Sequence, residues 1–247
     1  MMRNVIMLVI VTAISYPAMA TATKPINYSD SFESSATYVS DWAAVSGLTK
    51  YPRLYTTGHT GNYGLMQYDR TNYGIENDLA DGDEMPVGGY LEATSTSPLV
   101  VGLWWNPLSP ERQKNSFILE ITGGGNYLGI ANQRVNPEGN NSCYFSFNGA
   151  FWIRCYLNFI GSAWNNPFMT INSNGSVTVD VAGYTKTFYG VHNGSGFDTL
   201  RIRSLGSSTA PSWIDDVYVT GGNIVPEPAA LALMGLGLPW ILPRRRR

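Results

Sequence analysis

The chain has 247 residues, with 16 basic and 18 acidic side chains. Between the two terminal segments described below, residues 21–225 carry 11 basic and 17 acidic residues, a net charge of −6. A mildly acidic chain has no basic stripe with which to neutralise phosphates, so the charge balance argues against nucleic acid as a partner. The central part, about 200 residues, is the size of one large all-β domain and can bury its own core.

Residues 1–20 have the pattern of a secretory signal peptide. Arg3 supplies a positive start, residues 5–14 are apolar, and Ala18 and Ala20 are the small residues of a cleavage site. The apolar run is too short for a comfortable bilayer span. We therefore predict an N-terminal helix that signal peptidase removes, so that the rest of the chain is exported. A buried N-terminal strand is the alternative interpretation.

The segment between the two ends shows short strand patterns and almost no helical periodicity. The runs that are rich in Val, Ile, Tyr and Phe lie at residues 63–69, 89–95, 99–105, 116–122, 127–133, 176–182, 184–190, 198–204 and 213–219. Turn signals such as Asn174-Gly175 fall between them. Many short strands separated by turns predict an antiparallel sandwich or barrel, and we assign residues 21–224 to one such domain.

The two ends of this domain resemble a known fold family. Residues 30–47 and 197–221 are similar to the first and last strands of concanavalin A-like jelly rolls. The resemblance implies an all-β, antiparallel two-sheet jelly-roll sandwich whose terminal strands lie side by side. It also implies a lectin-like or laminin-G-like module that binds carbohydrate or protein, or in some members a glucanase. A galactose-binding-like jelly roll is the alternative.

Residues 76–84 place five carboxylates within nine positions and allow three interpretations. Glu76, Asp78 and Asp81 are similar to the Glu-x-Asp-x-x-Glu catalytic strand of retaining β-glucanases, where one carboxyl is the nucleophile and another the proton donor. Asn77 departs from that pattern, which has apolar residues between the acids. A calcium loop and a solvated acidic loop are the alternatives, and the density of charge favours the solvated loop.

The two cysteines predict a β-hairpin. A three-residue loop at 148–150 would pair Phe145 with Ile153 and Cys143 with Cys155. Directly opposed residues have Cβ atoms close enough for a disulfide, which an oxidising compartment favours. We therefore predict a Cys143–Cys155 disulfide, with two free buried thiols as the alternative.

Aromatic residues are the candidate ligand contacts, because an exposed ring can stack on a sugar. Consecutive strand residues face opposite ways, so Trp104 and Trp105 cannot both lie in the core. A later loop is predicted to present Trp164 to a ligand, beside the amides of Asn165 and Asn166. For any one tryptophan, packing in the core is the alternative.

Four carboxylates are a candidate calcium site. If the two ends of the domain pair, Asp30 and Glu33 would meet Asp215 and Asp216 at one edge, and clustered carboxylate oxygens suit Ca²⁺. An Asp-Asp pair in an apolar strand also needs an explanation, because burying a bare charge is costly. The alternative is that one Asp faces water while the other caps a turn.

The chain ends in three consecutive parts. They are the segment Val225, Pro226, Glu227 and Pro228, the apolar run 229–242, and the cluster Arg244, Arg245, Arg246 and Arg247. The prolines hold the first part extended and accessible. A helix over the apolar run rises about 21 Å, which is short of a hydrocarbon core of about 30 Å. The arginines would remain cytoplasmic.

This three-part order resembles the PEP-CTERM sorting signal. The resemblance implies that an exosortase, a membrane cysteine protease-transpeptidase, removes the tail near Pro-Glu-Pro after a transient stay in the inner membrane. The protein would then reach the cell surface or the exopolysaccharide matrix. Pro239 and Pro243 depart from the usual apolar run. An ordinary C-terminal membrane anchor is the alternative.

The sequence contains no nucleophile elbow, phosphate loop or zinc-protease motif. Its two histidines, His59 and His192, are interpreted as structural or exposed. We therefore expect an exported, non-catalytic module that binds polysaccharide or has a structural role, with a secreted carbohydrate-active hydrolase as the alternative.

Overall fold

The computed structural model describes most of the central domain. The described residues are 26–33, 42–44, 53–56, 58–67, 73–78, 89–107, 117–133, 142–160, 163–204 and 212–226. The helices predicted at 1–20 and in the C-terminal tail lie outside these residues, as do Glu227, Pro228 and the four terminal arginines. Within the described part of the chain, no helix is long and apolar enough to cross a bilayer.

Seventeen β-strands are present in the described residues. In chain order they are β1 (Ile26–Asp30), β2 (Ala43–Ala44), β3 (Arg53–Tyr55), β4 (Gly64–Gln67), β5 (Tyr73–Asp78), β6 (Gly89–Glu92), β7 (Leu99–Pro107), β8 (Ile118–Gly123), β9 (Asn126–Gln133), β10 (Ser142–Ser146), β11 (Ile153–Asn158), β12 (Phe168–Ile171), β13 (Val177–Val181), β14 (Tyr184–Phe188), β15 (Thr199–Ser204), β16 (Ser212–Gly221) and β17 (Asn223–Pro226). All nine predicted strand runs overlap one of them.

The strands form two antiparallel sheets and a short ribbon. Among the described residues, an eight-stranded sheet has the order β14-β13-β12-β7-β16-β4-β3, with β1 also paired to β16. A seven-stranded sheet has the order β11-β10-β9-β8-β15-β5-β2, and β6 pairs with β17. Asp30 of β1 lies opposite Val217 of β16, so the predicted pairing of the two ends of the domain is confirmed.

The core lies between the two sheets because alternate strand residues face inward. On β7, Leu103 and Trp105 are fully buried, whereas Trp104 between them is only half-buried and faces outward. The prediction that Trp104 and Trp105 face opposite ways is therefore confirmed. Trp105 packs against Phe117 and Phe159, with ring centroids 5.0 and 4.9 Å away. These contacts fill the core directly beneath the outer face of the eight-stranded sheet.

The acidic segment that was predicted to be a solvated loop begins as a strand. Residues 73–78 form β5, so that prediction is wrong for Glu76 and its neighbours. The reason is burial on the opposite face, where Asn77 is 1% exposed and donates to the hydroxyl of Tyr28 at 2.5 Å. A polar residue with a buried partner can therefore occupy an inward strand position.

The predicted hairpin is formed by β10 and β11. Phe145 lies opposite Ile153, as predicted, and the register shifts between Ser142 and Tyr144. Cys143 and Cys155 are both buried free thiols, so the predicted disulfide is not formed in this structure. Burial and the neighbouring Cys155 thiol raise the pKa of Cys143, which keeps that thiol protonated at neutral pH.

Candidate functional site

Aromatic side chains cover the outer face of the eight-stranded sheet. Trp104 of β7, Tyr218 of β16 and Phe168 of β12 all face away from the core and are half-buried. His59 and Trp164 join them from loops. We call these five residues the aromatic face. Contiguous apolar patches on a protein surface commonly mark binding sites, so this concentration of rings is the first indication of a binding surface.

The hydroxyl end of Tyr218 lies over the backbone of the neighbouring strand. It pairs with Gly102, and a Cβ at that position would lie 2.5 Å from Cζ of Tyr218 and 2.7 Å from Cβ of Phe168. The ring therefore needs a residue without a side chain beneath it. Its hydroxyl donates to Oδ1 of Asn166 at 3.1 Å, which holds the ring in place. Burial raises the pKa of Tyr218, as does the nearby Asp180 carboxylate, so the hydroxyl remains a neutral donor.

His59 extends the face as a second aromatic layer. Its ring stacks on Trp104 with centroids 3.7 Å apart and planes at 10°, and it makes an edge contact with the Trp164 ring, whose centroid is 5.5 Å away. Nδ1 of His59 lies 2.7 Å from Oδ2 of Asp216. Stacking and hydrogen bonding together fix the imidazole, so the face is pre-organised.

The loop that carries His59 is held by the Asp-Asp pair of β16. Oδ2 of Asp215 accepts the backbone N–H groups of His59 and Thr60 at 2.6 and 3.1 Å, and Oδ1 accepts that of Asp216 at 2.7 Å. Oδ1 of Asp216 accepts the hydroxyl of Thr60 at 2.6 Å. Burial raises the pKa of Asp215 to about 6, although its hydrogen bonds act in the opposite direction.

A β-bulge places the two acids side by side. The pairing of β16 with β7 shifts register between Asp215 and Tyr218, and Asp216 has φ of 44°. A bulge turns consecutive side chains toward one side of a strand and commonly lies beside functional sites. Here it lets both carboxylates reach the same loop.

The predicted four-carboxylate calcium site is not assembled. Asp30 accepts the N–H of Phe32 at 2.7 Å and Nε1 of Trp42 at 2.6 Å. Glu33 accepts the N–H groups of Asn62 and Tyr63 at 3.0 and 2.9 Å. Each acid, like the Asp-Asp pair, thus binds protein donors. Among the residues that the structure describes, no three His, Cys, Asp or Glu side chains form a group that could hold a metal ion.

Of the three predicted ligand contacts, Trp164 lies at the aromatic face and the two asparagines support it from within. Asn165 is 3% exposed, and its amide bonds the backbone of Ile160 and Ala163. Asn166 donates to the carbonyl of Leu103 at 2.9 Å and accepts from Tyr218. The prediction of Asn165 as a ligand contact is therefore wrong, because its amide is used within its own loop.

Glu76 lies on the outer face of the other sheet. Its Oε2 accepts from Nε of Arg201 at 2.5 Å, and both side chains are partly exposed. The side chain of Asp78 and the whole of Asp81 lie outside the described residues. The described part of the molecule thus places Glu76 in an ion pair rather than beside a second catalytic carboxyl.

The two histidines differ in role. His192 is structural, as predicted: its Nδ1 accepts the N–H of Gly194 at 2.7 Å, and burial lowers its pKa. His59 was missed as a site residue because its partners Asp215 and Asp216 are more than 150 positions away in the chain. The unexplained Asp-Asp pair was the available signal, since two acids in an apolar strand require donors from elsewhere.

Comparison with solved structures establishes the jelly-roll fold. A lectin from Bauhinia forficata, solved in complex with GalNAc, is similar at 8% identity and a TM-score of 0.53, over 81% of this chain and 99% of that chain. The cellulose induced protein Cip1 is similar at 13% identity and a TM-score of 0.53, over 78% and 96%. The globular domain of T. cruzi calreticulin is similar at 10% identity and a TM-score of 0.50, over 78% and 87%.

Sequence comparison adds nothing to this. No family model and no curated protein matches the chain. At identities this low, the structural likeness defines the fold, and function has to be argued from the site.

Proposed function

We propose that this protein is an exported, non-catalytic polysaccharide-binding module with a jelly-roll fold. The observation that carries the proposal is the aromatic face, where the hydroxyl end of Tyr218 lies over Gly102 with Phe168 beside it. A half-buried ring that is held in place by its neighbours loses little rotational freedom when a ligand binds to its exposed part. The C–H faces of hexose rings pack on such surfaces, and the lectin solved with GalNAc shows that the same fold can hold a sugar.

Polar groups at the edge of the face support a polyhydroxyl ligand. Asp216 and Thr60 place carboxylate and hydroxyl groups beside the rings. A few polar groups around apolar surface are typical of small-molecule sites. Asp216 is bonded to both His59 and Thr60, which suits it to orient a ligand rather than to act as a nucleophile.

The same proposal includes export and sorting. The signal-peptide pattern at 1–20 and the three-part tail at 225–247 support secretion followed by exosortase processing and release to the cell surface or matrix. A polysaccharide-binding domain would then retain the protein within exopolysaccharide. Signal peptidase and exosortase are the processing partners in this proposal.

Binding is tested by affinity electrophoresis of the secreted protein in gels containing hydroxyethylcellulose, xyloglucan, galactomannan or dextran. We expect retardation by at least one polymer, and a loss of affinity of about tenfold in Tyr218→Ala and in Trp164→Ala. Tyr184→Ala is the matched control, because Tyr184 is 71% exposed and lies on β14, outside the aromatic face. Reducing-sugar release would contradict the non-catalytic assignment, and retardation by none of the polymers would overturn polysaccharide binding.

Sorting is tested by the intact mass of the protein from a Gram-negative host with and without its exosortase. We expect a mass that lacks residues 1–20 and the tail beyond Pro-Glu-Pro when the exosortase is present. Replacing Pro226 and Pro228 with alanine should block this processing. A mature protein that still contains residues 229–247 would show that the tail is a permanent anchor.

A further inference from the structure

The outer face of the seven-stranded sheet contains a buried charge network. Glu120 of β8 points away from the core yet is only 1% exposed. Oε2 accepts from Nε of Arg203 at 2.6 Å, while Oε1 accepts from Nη2 of Arg203 and from the hydroxyl of Tyr127. A carboxylate at an outward position could have been solvated. Its burial instead holds a guanidinium and a phenol in fixed positions, at a cost in desolvation.

A second ion pair continues this network across the sheet. Glu120 lies opposite Arg201, which in turn lies opposite Glu76. Arg201 donates from Nε to Glu76 at 2.5 Å, and its side chain is 34% exposed. Each guanidinium is thus matched by one carboxylate, so this part of the surface carries donors and acceptors without net charge. Such a surface complements neutral hydroxyl groups better than an anion.

Two aromatic side chains lie at the end of this polar row. Gly129 of β9 pairs with Glu120, and a Cβ there would lie 3.2 Å from both Cη2 of Trp152 and Oη of Tyr127. Trp152 and Tyr127 therefore converge over a strand position without a side chain, and Trp152 is half-buried. Rings beside fixed guanidinium and carboxylate groups offer a saccharide both stacking and hydrogen bonding.

We propose that Tyr127, Trp152, Arg201 and Arg203 form a second, polar-aromatic face that binds a neutral polysaccharide, so that one protein molecule cross-links two polysaccharide chains. This proposal rests on the polysaccharide binding proposed for the aromatic face.

Because the two faces lie on opposite sides of the sandwich, each would bind a different polysaccharide chain. They belong to different sheets and point away from the shared core, and packed sheets are about 10 Å apart before side chains are added. A saccharide lying on one outer face cannot reach the other without passing around the edge of the sandwich. A monomer with two such sites gains avidity on a dense matrix and joins separate polymer chains.

The experiment compares binding with cross-linking in the secreted protein. Affinity electrophoresis measures binding to the polymers named above, light scattering of each polymer measures cross-linking, and chromatography with light scattering measures the protein's molar mass. We expect a monomer that binds and cross-links. Trp152→Ala and Arg201→Ala should lower cross-linking at least about tenfold while the protein stays bound through the aromatic face. Tyr218→Ala should also lower cross-linking, because its remaining binding comes from the polar-aromatic face alone, and Tyr184→Ala should match the wild type.

The outcomes separate the two proposals. If the wild type binds no polymer, polysaccharide binding fails and cross-linking fails with it. If the wild type binds but does not cross-link, or if Trp152→Ala and Arg201→Ala cross-link as the wild type does, the polar-aromatic face is overturned and the aromatic face stands. The polar-aromatic face is also overturned if the protein is a dimer and the variants of both faces cross-link as well as the wild type does. Urea unfolding of each variant shows whether a loss comes from misfolding.

Discussion

Asp215 holds the loop that places His59 on the aromatic face. Its carboxylate is fully buried and accepts three backbone N–H groups, two of them from the loop that carries His59. An Asn at this position has one carbonyl oxygen, so it can satisfy the donors on one side only. In Asp215→Asn, the N–H groups that had bonded the other oxygen lose their acceptor, which costs about 1–3 kcal/mol.

The raised pKa of Asp215 predicts a specific pH dependence. Its folded pKa of about 6 exceeds the ordinary value of 3.8, so between pH 4 and 6 the folded state binds more protons than the unfolded state. The contribution of Asp215 to the unfolding free energy therefore falls as pH rises through this window, by up to about 3 kcal/mol. Urea unfolding of wild type and Asp215→Asn from pH 3.5 to 7.5 should show the stability difference shrinking with pH. Parallel curves would refute the assignment.

Some residues of the aromatic face can be predicted from the sequence, but the residues that hold them in place cannot. Trp164 and the outward orientation of Trp104 follow from local patterns, because strand alternation and loop composition are local properties. The roles of His59 and Asp215 depend on a contact between residues 156 positions apart. No local pattern specifies such a contact.

At the scale of elements, the β10–β11 hairpin shows how much of a strand pairing can be predicted from residues placed symmetrically about a loop. Phe145 pairs with Ile153 as predicted, and both cysteines are buried within this hairpin. The irregular register beyond Tyr144 could not be read from the sequence, because the left-handed residue that accompanies it is Tyr156, with φ of 61°, rather than a glycine. β5 was missed for a related reason: its inward Asn77 is stabilised by Tyr28, a residue on a distant strand.

The hairpin predicts a redox-dependent change in stability. The thiols of Cys143 and Cys155 are free in this structure but interact with each other, so an oxidant can join them. Protein exported to an oxidising compartment should therefore contain a disulfide and no free thiol after denaturation, whereas protein made in the cytosol should contain two free thiols. Because the closed loop is short, oxidation should add at most about 3 kcal/mol to the unfolding free energy. Thiol titration in denaturant and urea unfolding measure the two effects. The Cys143→Ser, Cys155→Ser variant is the control, and two free thiols in exported protein would contradict the disulfide.

At the scale of the whole molecule, alternation along many strands was enough to predict an all-β sandwich. It did not predict which outer face would carry function, since the same alternation produces both faces. Nor did it predict where on each face rings would collect, which depends on glycines that create space for them, Gly102 on one sheet and Gly129 on the other. In the sequence these residues are indistinguishable from turn glycines, and only the strand pairing shows what lies over them.

The charge distribution of the whole domain predicts how binding responds to salt. The domain is mildly acidic, and on the polar-aromatic face Arg201 and Arg203 are each paired with a carboxylate. Binding of a neutral polysaccharide should therefore release no counterions, and its affinity should change less than about twofold between 50 and 500 mM NaCl. Isothermal titration with the polymer that retards the protein measures this directly. An affinity for this neutral polymer that falls tenfold or more over that range would mean that charged groups, and not the aromatic rings, are the main contacts.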